Sequence, residues 1–229
     1  TGAAMQGRAA EPALLPVVLP DLGGMHASVQ EQLREAFTLL RVSDSRSQAY
    51  GELGKLLMAG QYLGVAERCF RNAQMLAPDD ARWPYYLAHV FSRQGDLTKA
   101  VEQFEHVLRL RPTDLATLVW LGHVYIALGQ PETAAPFLTR ARALGPDTAA
   151  VLYQLGRADL ATQDYASAVQ HLEEAARLNP AATVIYYPLA MAYRGLGDLE
   201  PAQSYLDRTG GRAGAGVSVT LPDPLMADV

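Results

Sequence analysis

The chain has 229 residues, enough to bury a real core as one large domain or two small ones, and 49% apolar with 19% charged residues are the proportions of a folded protein. A net charge of -5 argues against a general nucleic-acid binder, which needs a basic footprint over phosphates. No run of about 18 apolar residues occurs, so no membrane-spanning helix is expected, and the single cysteine, Cys69, excludes an internal disulfide and a cysteine-based zinc site.

Residues 1–26 open with TGAAMQGRAAEPALLPVVLP, a small-residue, proline-rich stretch expected to be extended. It is like the segment that follows a cleaved signal peptide, and with Thr1 in place of an initiating methionine it leads to the expectation of an exported, periplasmic protein; the cytoplasm is the alternative. Residues 27–46 contain ASVQEQLREAFTLLR, in which Val29, Leu33, Phe37 and Leu40 recur at helical intervals, predicting a capping helix.

From residue 47 a period takes over. Pro78, Pro112, Pro146 and Pro180 stand 34 residues apart, each after a leucine- and alanine-rich run that proline ends. Ala66, Ala100, Ala134, Ala168 and Ala202 form one column, and Leu53, Leu87, Leu121, Leu155 and Leu189 another. A small-residue column (Gly54, Ala88, Gly122, Gly156, Ala190) is matched by a large one (Phe70, Phe104, Leu138, Leu172, Leu206). The pattern predicts two antiparallel helices per repeat, with small residues where they approach and large ones between them. Gly95, Gly129 and Gly197 fall at the turn between the two, where a left-handed conformation is needed.

On these residues the chain resembles the tetratricopeptide repeat family, the first repeat reading Tyr50, Leu53, Gly54, Leu57, Ala66, Phe70, Ala73 and Pro78. The resemblance covers residues 47–209 in five units, 47–80, 81–114, 115–148, 149–182 and 183–209, followed by a glycine-rich and then extended tail, 210–229. It implies an all-α, right-handed α-solenoid. Three departures stand out: Asp159 replaces an aromatic, so that the fourth repeat either packs loosely or takes a polar group into its seam, Pro136 predicts a kink, and Pro188 predicts a late helix start.

The resemblance also implies a concave groove lined by the first helix of each unit. The residues placed there are Lys55, Arg82, Tyr85, Tyr86, His89, Arg93, Trp120, His123, Tyr153, Gln154, Arg157, Tyr187 and Arg194. Arginines grip carboxylates and aromatics supply rigid contact area, so the expected ligand is an extended, acidic peptide segment of another protein. Of the positions that would clamp a chaperone's terminal carboxylate (Gly51, Lys55, Tyr86, Ala116, Trp120), only Lys55 fits.

No metal or cofactor is expected. Helices pack ~8–10 Å apart, so His89 and His123 would have to lean together to share an ion, and spacing brings no carboxylate to them. No catalytic residues are expected either. GGRAGAG lacks the lysine and hydroxyl of a phosphate loop, HLEEA lacks a second metalloprotease histidine, and Cys69 sits where a core thiol belongs. The expected function is a non-catalytic adaptor or assembly factor. The alternatives are a structural subunit that self-associates through its tail or convex face, or a regulatory repeat domain of a larger enzyme.

The tail PDPLMADV carries Asp223, Asp228 and a terminal carboxylate around Leu225 and Met226, and LPDPL at 221–225 echoes LPDL at 19–22. Such a segment resembles the groove's own ligand, and two readings stay open: the tail occupies a groove, its own or a neighbour's, or it is a disordered terminus. On the first, deleting residues 217–229 should change the oligomeric state or open the groove, read by solution scattering and by peptide binding.

Overall fold

A left-handed residue recurs every 34 positions. Gln61, Gly95, Gly129, Gln163 and Gly197 have φ of 65°, 82°, 71°, 63° and 87°. Each ends a helix in the same double hydrogen-bonded turn: Gln130 N–H donates to Tyr125 O at 2.9 Å and Gly129 N–H to Ile126 O at 3.0 Å, with equivalent pairs at the other four. The next residue then caps the following helix. Asp96 and Asp164 accept from the backbone of Lys99 and Ser167, which suits a carboxylate beside the positive end of a helix dipole.

The computed structural model describes residues 12–145, 147–209 and 216–229, apart from the side chain of Asp228. Pro146 and residues 1–11 and 210–215, which include most of the glycine-rich run, lie outside the described residues. The helices are α1 (Ala27–Val42), α2 (Arg46–Ala59), α3 (Leu63–Leu76), α4 (Arg82–Gln94), α5 (Leu97–Leu110), α6 (Leu115–Ala127), α7 (Pro131–Leu144), α8 (Ala149–Ala161), α9 (Tyr165–Leu178), α10 (Tyr186–Leu196) and α11 (Leu199–Arg208). Two short 3-10 turns, Thr183–Ile185 and Met226–Asp228, complete the set, and no strand occurs among the described residues. The protein is all-α.

The chain divides into two compact units, residues 1–90 with Val229, and residues 91–228. In the first, α2 packs against both α1 and α3. Phe70 fills the space over Gly54, where a Cβ would come within 2.7 Å of its ring, and Trp83 covers Gly51 in the same way. Cys69 is fully buried beside them, and burial pushes its thiol up to about 12, so it is an inert core group. The N-terminal segment is tied to α3 through Asn72, which is fully buried. Its Oδ1 accepts from Leu15 N at 2.7 Å and its Nδ2 donates to Leu15 O at 2.9 Å. The helix expected over 27–46 runs from Ala27 to Val42 and buries Leu33, Ala36 and Leu40.

In the second unit, α6, α8 and α10 lie side by side, each paired with its successor, α7, α9 and α11. Gly122 lets Leu138 close over α6, and Gly156 lets Leu172 close over α8. Asp159 does place a polar pair in the seam: its Oδ2 lies 2.6 Å from His171 Nδ1, while Arg142 donates to His171 Nε2 at 2.9 Å. Because arginine only donates, the ring must accept at Nε2 and donate from Nδ1. Helix α7 continues through Pro136. The fifth unit begins with the 3-10 turn and its α-helix starts only at Tyr186, two residues before Pro188, whose missing N–H thereby falls in the first turn.

Glutamine pays a backbone penalty at Gln163 that glycine does not. Gln163→Gly is expected to gain about 0.5 kcal/mol, and Gly129→Ala to lose about 1 kcal/mol, as read by urea denaturation.

Candidate functional site

Repetition at 34 residues puts His123 of α6 and Arg157 of α8 at equivalent points on neighbouring helices. Their side chains meet: Arg157 Nη1 lies 2.9 Å from His123 Nδ1 and 3.0 Å from Gln154 Oε1. The guanidinium also stands over the Tyr153 ring at 5.7 Å, and the Trp120 ring meets His123 edge-on at 5.8 Å. Arg157 can only donate, so His123 accepts at Nδ1 and carries its proton on Nε2. Burial first, and the Arg157 charge second, hold this imidazole down to about 4, with the Gln154 contact opposing them. The positive charge of the face therefore belongs to Arg157 and not to His123. Burial raises the Tyr153 phenol, against the pull of Arg157. Among the described residues no carboxylate forms an ion pair with Arg157.

The C-terminal tail crosses this face. Val217 N–H donates to Thr183 Oγ1 at 2.8 Å, and Val184 N–H donates to Val217 O at 3.2 Å. Gly216 makes this entry possible: its φ is 145°, and a Cβ there would stand 2.1 Å from Thr183 Oγ1. Beyond it burial alternates, with Val219, Leu221, Asp223 and Leu225 partly buried and Ser218, Thr220, Pro222 and Pro224 exposed. That period of two marks an extended segment lying on a surface. Val219 packs on the core around Leu152, Leu172, Ile185 and Leu189. Asp223 Oδ2 accepts from Trp120 Nε1 at 2.9 Å, and its Oδ1 accepts from the Met226 N–H at 3.1 Å, which starts the terminal 3-10 turn. Between tail and helices remains a cavity of about 530 Å3, walled by Val119, Trp120, His123, Tyr153, Gln154, Arg157 and the tail's own Val219, Leu221 and Met226.

Of the residues predicted for the groove, the structure thus brings together Trp120, His123, Tyr153, Gln154 and Arg157. Tyr85, Tyr86 and His89 are instead buried, at 1%, 2% and 5% exposure. Tyr86 stacks on Phe70 at 5.1 Å, and Tyr85 meets His89 edge-on at 4.7 Å. Lys55 is engaged by Glu52 at 2.8 Å and Arg82 by Asp80 at 2.6 Å, while Arg93 and Arg194 are exposed and Tyr187 half-buried. Sequence reasoning missed Thr183, Val184 and Gly216, which seat the tail. Only the isolated glycine at the end of GGRAGAG could have signalled them. No three His, Cys, Asp or Glu side chains converge as a metal site among the described residues, and no helix there is long and apolar enough to cross a membrane.

The unfolded chain takes up a proton on His123 around pH 6.5, whereas the fold refuses it until about 4. This contribution to stability is complete above pH 6.5 and lost as pH falls towards 4, a change on the order of 3 kcal/mol. His123→Gln is expected to flatten that part of the stability profile, measured by urea denaturation at a series of pH values.

Three tetratricopeptide-repeat family models match residues 52–114, 113–181 and 159–214. No curated protein matches the chain. Among solved structures, "MamA 41-end from Desulfovibrio magneticus RS-1" is 21% identical with a TM-score of 0.68, over 72% of this chain and 93% of that one. YrrB, titled "a TPR protein with an unusual peptide-binding site", is 21% identical with a TM-score of 0.64, over 77% of this chain and 91% of that one. At these identities the likeness is one of fold. The chain belongs to the tetratricopeptide repeat family.

Proposed function

We propose that the protein is a non-catalytic adaptor whose second unit holds an extended, acidic peptide segment of a partner protein on the face formed by α6, α8 and the start of α10. The observation that carries this reading is the seating of residues 217–223, an extended stretch whose Asp223 carboxylate reaches the Trp120 indole beside Arg157. Each element of peptide recognition is present there: main-chain partners at Thr183 and Val184, an apolar wall taking alternate side chains, and a donor for a carboxylate. Arg157 adds a fixed cation that three neutral neighbours orient without neutralising. YrrB, a relative in fold, is described as having an unusual peptide-binding site, which is consistent with this use of the scaffold.

The test is an array of extended acidic peptides probed with the purified chain. Peptides that bind should lose at least about tenfold in affinity when His123→Ala and Arg157→Glu are combined, as expected for central residues of an interface. Affinity unchanged by the double substitution would rule the face out. If the protein were instead a self-associating subunit, its mass in solution would respond to tail deletion while no peptide bound.

A further inference from the structure

The tail fits the face well enough to raise a second question, since a site filled by its own chain is closed to others. We propose, resting on the peptide-binding reading above, that residues 217–227 are an internal stand-in for the true ligand. The segment that replaces them comes from another protein, repeats the tail's Val-x-Leu-Pro-Asp spacing, and carries a further carboxylate for Arg157.

Three observations converge on this. The inward side chains of the tail define what the face reads: aliphatic at 219, leucine at 221 and aspartate at 223, with the exposed Pro222 and Pro224 holding the extended form at low entropic cost. The same Val-x-Leu-Pro-Asp spacing occurs once more, at Val17, Leu19, Pro20 and Asp21. Finally, the tail leaves the face unfinished. Asp223 is taken by Trp120, Arg157 has no carboxylate among the described residues, and about 530 Å3 beside it stays unfilled. A ligand with a second acidic side chain directed into that space gains a charge-assisted hydrogen bond that no described side chain of the tail makes.

The gain is necessary as well as available. A tethered tail competes at an effective concentration of roughly millimolar, so an untethered segment with identical contacts would be excluded at ordinary concentrations. The same arithmetic disfavours a second copy of this chain as occupant, because its tail offers nothing that the tethered one lacks.

The experiment uses the full chain, fluorescence anisotropy and a labelled peptide of residues 217–229. Two released forms are compared with the wild type. In Gly216→Val the new side chain collides with Thr183 Oγ1. In Leu221→Ser/Asp223→Ala two of the tail's three inward contacts are removed and its entry kept. The labelled peptide should bind both released forms at least about tenfold more tightly than wild type. An unlabelled peptide of residues 14–22 should compete with it. A Ser218→Glu version of the labelled peptide, altered at a residue that borders the cavity together with Arg157, should bind about tenfold more tightly again, and Arg157→Gln in the released chain should abolish that increment.

Equal binding to wild-type and released chains overturns the internal occupancy. Failure of residues 14–22 to compete overturns the spacing rule, and a glutamate increment that survives Arg157→Gln overturns the assignment of the cation. A wild-type dimer that the released forms lose shows that the tail sits on a second copy and overturns the proposal. If no peptide binds released chains that keep wild-type helicity and melting temperature, the peptide-binding reading itself fails, an outcome separable from the others.

Discussion

Reversal of the chain through one left-handed residue every 34 positions is the constraint on which everything else rests. It ends each first helix, supplies the hydrogen bonds that the last carbonyls need, and delivers the next residue as a cap. Because the reversal is identical each time, α6 and α8 run parallel with their side chains in register. His123 and Arg157, 34 apart in sequence, then meet without any special device. The face is a by-product of the turn. Where the turn uses glutamine in place of glycine, the chain accepts some backbone strain to keep the same geometry.

The second determinant is how charge is distributed once that register is set. A histidine and an arginine side by side on a partly buried surface cannot both be cationic at low cost. The solution is a neutral imidazole that serves as an acceptor and orients the guanidinium. Arg157 then presents one localised charge in an acidic protein, next to an indole N–H that already holds a carboxylate. The pair explains why an acidic segment suits the face while a general affinity for polyanions does not follow.

Much of this was legible in the sequence because packing follows the period. The alanine column at 66, 100, 134 and 168 is completely buried, and the small column meets the large one at Gly122 with Leu138 and Gly156 with Leu172. Register also placed Trp120, His123, Tyr153, Gln154 and Arg157 on one surface. It did not tell that Tyr85 is almost fully buried while Tyr153, at the same point of its repeat, is half-buried. Nor could periodicity assign a proton to one ring nitrogen or direct a non-periodic tail to Thr183. Those depend on distances in space, which a one-dimensional pattern does not carry.

The union of Asn72 with Leu15 bears on how far the N-terminal end can be shortened. A buried side-chain amide whose two polar atoms are both satisfied by one residue's backbone behaves like a peptide group in a sheet, and losing that partner costs about 1–3 kcal/mol. Cleavage well before Leu15 leaves the union intact, whereas cleavage beyond it strands a polar group inside α3. The first repeat thereby sets a limit on truncation, because Leu15, although ahead of the helices, completes a buried polar group of the folded core.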